Sequence, residues 1–112
     1  MATLTLKATY SQLIMTLPED PRILQAKAWI GDAVLALCAR DWILQQDGKV
    51  CSIKLGNLTS NQFLTTIGNP SKVEAEIGIV YESKGLEAAR TLIASKIIPP
   101  FLKQERNRNK RR

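Results

Sequence analysis

A chain of 112 residues is long enough to bury one core and too short for a catalytic domain plus a second module. It contains no histidine, and its two cysteines, Cys38 and Cys51, lack a CxxC spacing, which excludes zinc centres and Ser/His or Cys/His nucleophilic machinery and leaves carboxylates, lysines or a hard metal ion for any catalysis. The net charge of +6 is concentrated at one end, where the last ten residues hold six of the sixteen basic side chains against one acid, Glu105; the remaining body is close to neutral.

Met1 to Tyr10 lacks the basic-then-apolar layout of a secretory signal, and no run approaches the roughly 18 apolar residues that cross a bilayer. The expectation is a cytoplasmic protein with no membrane partner. From Tyr10 to Leu17, the apolar residues Tyr10, Leu13, Ile14 and Leu17 follow helical spacing until Pro18 stops it. Glu19-Asp20-Pro21 then supplies a cap and a proline at the first helical position, opening a helix to about Gln46 that Asp47-Gly48 closes. Its apolar residues, from Ile23 and Leu24 through Trp29, Leu35 and Ile43, cover most of the circumference, as suits the centre of a bundle. Two short amphipathic pieces, Ser52 to Leu55 and Thr59 to Ile67, are separated near Gly56-Asn57. A restart at Gly68-Asn69-Pro70-Ser71 leads into a helix with Val73, Ile77, Val80 and Tyr81 on one face, ended by Gly85. The last helix runs from Leu86 to about Ile98 and is terminated by Pro99-Pro100. Nothing alternates with period two, so the chain reads as an all-α bundle of five to seven helices over residues 1–102, followed by a flexible basic tail over 103–112.

Two acids stand out. Asp32 lies within the most apolar helix, where a carboxylate is expensive unless a cation, hydrogen-bond donors or water meet it; Lys27 and Arg40 are candidate partners. Glu74 falls three residues after Ser71, a spacing that also fits a capping box in which Ser71 and Glu74 satisfy each other's backbone N–H groups. The nearby Glu76, Glu82 and Glu87 read as surface charges. The tail cations Lys103, Arg106, Lys110 and Arg112, with Arg108 and Arg111, would attract phosphates irrespective of sequence, or serve only to solubilise the chain end.

At these acids the chain resembles the ribonuclease III family. One signature appears as Trp29-Ile-Gly-Asp-Ala-Val-Leu35, the other as Val73-Glu-Ala-Glu-Ile-Gly-Ile-Val-Tyr81, followed by Gly-Leu-Glu-Ala-Ala-Arg and Ile-Ile-Pro-Pro. The likeness spans roughly Ala26 to Pro100 and implies a ribonuclease III-type helical bundle. Asp32 and Glu74 match the aspartate and glutamate with which the family holds Mg²⁺, with Mn²⁺ as a substitute, at its cleavage centre. Three other family acids are replaced, by Gln25, Ala28 and Ser71. A small residue at the position of Ala28 and a hydroxyl residue near the second motif are similar to Mini-ribonuclease III, the branch that consists of the catalytic domain alone, although the segment between the motifs is shorter here.

The resemblance implies a Mg²⁺-dependent endoribonuclease for double-stranded RNA, acting on ribosomal or other structured precursor RNA without an organic cofactor. It implies a two-fold homodimer that cuts both strands, with Trp29 at the subunit contact, although ordinary core packing is an equal reading of that side chain. The basic tail would then stand in for a missing RNA-binding module. Two alternatives remain open: a catalytically silent ribonuclease III-like subunit that binds RNA or a ribosome, and a basic-tailed helical interaction protein.

Overall fold

The computed structural model describes residues 17–110, and among them it contains six α-helices and no strand. They are α1 (Pro21–Asp47), α2 (Ser52–Thr59), α3 (Asn61–Thr65), α4 (Pro70–Lys84), α5 (Leu86–Lys96) and α6 (Ile98–Lys110). The helical segment expected from Tyr10 onward and the tail residues Arg111 and Arg112 lie outside the described residues.

Local chemistry sets most of the boundaries. Asp20 caps α1, its carboxylate accepting from the Arg22 N–H at 2.9 Å, while Pro21 occupies a position where no N–H is needed. Gly48, at φ 70°, ends the helix in the left-handed conformation and donates its N–H to the Leu44 carbonyl. Gly85, at φ 93°, separates α4 from α5. The break expected at Gly56-Asn57 falls later: α2 runs through both residues, and Ser60 makes the boundary by accepting from the Phe63 N–H at 3.0 Å.

Two further expectations are corrected. The cap of α4 is Asn69, which accepts from the Lys72 N–H at 3.1 Å, so Ser71 lies inside the helix and the capping box with Glu74 does not form. Pro70 then takes the first position, where its missing N–H costs nothing. Asn69→Ala is expected to lower stability by about 1 kcal/mol, and Ser71→Ala by far less, as measured by urea unfolding; the reverse order would move the cap to Ser71. The second correction concerns Pro99-Pro100, which opens α6 rather than ending the chain's last helix. Both prolines fall in its first turn, where the amide hydrogens lack intrahelical partners anyway. The helix continues to Lys110, so residues 103–110, expected as a flexible tail, are helical. Arg108 and Lys110 lie in the last turn, where cations favour the helix dipole.

The core joins α1, α4 and α5 to the short helices and the start of α6. Leu35, Leu58, Leu64, Ala89 and Phe101 are fully buried. Phe101 meets Trp42 and Phe63 edge-on at ring-centroid distances of 6.0 and 5.6 Å. Ion pairs tie helices across their rims: Lys27 to Glu82 at 3.0 Å, Arg90 to Asp41 at 2.7 Å, Lys54 to Asp47 at 3.1 Å and Lys96 to Glu76 at 2.5 Å. Glu76, read from sequence as a surface charge, is thus a largely covered partner of Lys96.

α1 is not wrapped on all sides. Ile23, Trp29, Leu37 and Leu44 are exposed, and Trp29 most of all at 78%. They lie on one side of a helix about 40 Å long, so its apolar circumference exceeds what the described residues cover.

Candidate active site

Helices α1 and α4 cross at two glycines. A methyl group on Gly31 would lie 1.6 Å from the Glu74 carbonyl oxygen, and one on Gly78 would lie 2.1 Å from the Lys27 carbonyl oxygen. Backbone meets backbone at both points, an approach open only to residues without a side chain. The residue after Gly31 is Asp32, and the carbonyl lying against Gly31 belongs to Glu74. The crossing therefore brings the two acids together from helices separated by more than twenty residues of intervening chain.

Asp32 is exposed and Glu74 half-buried, and both line one cleft of about 590 Å³ with Arg22, Gln25, Ala28 and Trp29. The Glu74 carboxyl is pushed up from its ordinary 4.5 to about 7. Partial burial is the main cause; Asp32 adds to it by accepting a hydrogen bond from protonated Glu74 and by repelling the ionised form. Near neutrality Glu74 therefore holds a proton that a cation in the cleft would displace.

The other acids give this pair its meaning. Asp20, Asp41, Asp47, Glu76, Glu82, Glu87 and Glu105 each have a basic side chain within 4 Å, and Glu19 is exposed to solvent ahead of α1, without an ion pair among the described residues. Asp32 and Glu74 have no such ion pair among the described residues, and neither of the partners expected for Asp32 reaches it. Lys27 pairs with Glu82, and Arg40 donates to the Ala36 carbonyl at 3.2 Å. Two neighbouring carboxylates left without a described counter-charge, in a cleft open to water, suit Mg²⁺, which takes one or two carboxylates and completes its octahedron with water and phosphate. They do not amount to a closed protein cage: among the described residues no three His, Cys, Asp or Glu side chains cluster.

The other residues singled out from sequence are distributed as follows. Trp29 lies on the cleft wall and outside this chain's own core. Gln25 and Ala28, where the resembled family carries acids, line the same cleft, whereas Ser71 is exposed in the first turn of α4 and is not among the lining residues. On α6, Lys103, Arg106 and Lys110 are exposed and follow one another at helical spacing on the side opposite buried Phe101. Arg108 is half-covered and bound to Glu105 at 3.1 Å. Sequence reading missed Arg22 as a cleft residue and the two glycines as the crossing point. The signal for the glycines was present, since each motif carries one glycine at a fixed offset from its acid.

Comparison with family models, with curated proteins and with solved structures finds no match. Among the described residues no helix is long and apolar enough to cross a membrane.

Proposed function

We propose that the protein is a divalent-metal-dependent endoribonuclease acting on double-stranded RNA. The observation that carries this reading is the meeting of Asp32 and Glu74, from separate helices, in one water-accessible cleft without a described cation beside them. The two motif glycines support it, because their offsets from the acids are what brings the carboxylates together.

In this reading Asp32 and Glu74 would hold Mg²⁺, or Mn²⁺ in its place, which would supply Lewis-acid activation of the scissile phosphate and of the attacking water. Glu74 would give up its proton where the ion is held, and the fixed α1–α4 crossing orients both carboxylates before substrate arrives. The exposed row Lys103, Arg106 and Lys110 offers phosphate contacts away from the cleft. Recognition then rests on backbone shape and 2′-hydroxyls, since side chains do not read the deep A-form major groove.

The exposed apolar side of α1, with Trp29 beside the cleft, suits a second copy of the chain related by a two-fold axis, which would set two centres against the two strands. Processing of ribosomal or other structured RNA in the cytoplasm is the setting this activity fits. A noncatalytic RNA-binding subunit is the second reading, favoured by Ala28 on the cleft wall where the resembled family carries a glutamate.

The test is a long RNA duplex incubated with the protein in Mg²⁺ or in EDTA, beside the matching single strand. Cleavage confined to duplex with Mg²⁺, leaving 5′-phosphate ends, is expected. Binding without cleavage would leave the second reading, and a monomer in sedimentation would remove the two-strand cut.

A further inference from the structure

Among the described residues the cleft wall carries one cationic side chain, Arg22, in the first turn of α1. We infer that Arg22 grips a phosphate of the RNA strand lying in the cleft, at a step along the backbone from the phosphate beside Asp32 and Glu74. The inference rests on the nuclease reading and deepens it by naming a residue that positions substrate.

Geometry separates the two contacts. Arg22, Gln25, Trp29 and Asp32 recur at three- and four-residue intervals, so they follow one side of α1 along the cleft. The arginine and the aspartate are ten positions apart, about 15 Å of helix axis. Arg22 therefore stands at the far end of the groove from the carboxylates, where a strand would enter or leave it. Electrostatics favours a phosphate there, because the groove presents two carboxylates to a polyanion and Arg22 is the one described cation on its wall that can offset them.

The present partner of Arg22 is weakly engaged. Its Nε stands 3.8 Å from the Asp20 carboxylate, and its side chain is 92% exposed. That carboxylate already accepts the Arg22 backbone N–H at 2.9 Å as the helix cap. Asp20 thus tethers the guanidinium loosely at the groove mouth, and a phosphate, which takes two parallel N–H donations from a guanidinium, can replace it without disturbing the cap.

The test measures affinity for a short RNA duplex in metal-free buffer across a range of KCl, so that cleavage plays no part. Arg22→Gln is expected to weaken binding about tenfold at low salt and to reduce the slope of log K against log [salt] by about one, the loss of a single phosphate contact. Arg22→Lys should keep the slope. Asp20→Asn, which retains a good capping residue while removing the tether's charge, should tighten binding severalfold. With Mg²⁺ present, Arg22→Gln should raise KM and leave kcat close to that of the unmodified protein. Unmodified protein that binds duplex while Arg22→Gln shows the same salt slope would overturn the Arg22 contact alone. Failure of the unmodified protein to bind duplex would remove the nuclease reading and this contact with it. Weaker binding by Asp20→Asn would reject the exchange of carboxylate for phosphate.

Discussion

Gly31→Ala is expected to be the most damaging single methyl group that can be added to this protein. Alanine normally favours a helix over glycine by about 1 kcal/mol, so propensity alone predicts a gain. Here the new carbon would lie 1.6 Å from the Glu74 carbonyl oxygen, 2.6 Å from its carbon and 2.9 Å from the Gly78 nitrogen, all of them backbone atoms that no rotamer change can move. α1 and α4 would have to separate, opening the central packing around Leu35, Ile77 and Val80. Overpacking of this kind outweighs propensity, and a net loss of about 3 kcal/mol or more is expected. In a domain of this size that lowers Tm by more than about 10 °C. Gly56→Ala is the control: it lies within α2 with nothing within 4 Å of the added carbon, and should raise stability slightly. Equal melting temperatures for Gly31→Ala and the unmodified protein would contradict the helix crossing.

Removing either carboxylate should abolish cleavage. Glu74→Gln and Asp32→Asn keep shape and volume while deleting a charge from the pair, and a loss of about a thousandfold, roughly 4 kcal/mol of transition-state stabilisation, is expected in single-turnover cleavage of duplex RNA. Stability should move the other way. Because the folded-state pKa of Glu74 is raised to about 7, the native protein holds a proton that the unfolded chain releases near 4.5. This contribution is complete below about pH 4.5 and declines as pH rises to about 7. An isolated buried group with this shift would lose ~3 kcal/mol; solvent in the open cleft screens that to ~1 kcal/mol. Glu74→Gln should therefore lose this pH dependence and melt higher than the unmodified protein at pH 8. Mg²⁺ should raise the melting temperature of the unmodified protein and leave that of Glu74→Gln nearly unchanged. Cleavage by either variant within tenfold of the unmodified protein would remove that carboxylate from the reaction.

Much of the architecture is legible in the sequence where one residue settles one boundary. Asp20-Pro21, Gly48 and Gly85 act through their own dihedral angles and side-chain acceptors, and no distant contact is needed to interpret them. Misreading arises where one residue has two uses. Pro99-Pro100 can stop a helix or start one, and the choice falls to Ile97, Ile98 and Phe101, whose burial holds α6 against the body. Ser71 competes with Asn69 for the same cap, and Pro70, suited to the first helical position, favours the residue just before it. At the candidate site the acids are legible from their motifs, but their proximity is not, because it depends on a crossing between helices. Asp32 looks costly on an apolar helix because the pattern cannot reveal that its side of α1 faces an open groove. The same blindness hides Arg22, which looks from sequence like any charge in a first turn.

Because no side chain stands between α1 and α4 at Gly31 and Gly78, the gap between the two acids is ruled by peptide geometry rather than by the fit of neighbouring side chains. A loosened contact at the far end of the bundle, around Phe101 and Trp42, can sap the molecule's resistance to heat. The gauge of the groove changes only if two entire rods slide past each other.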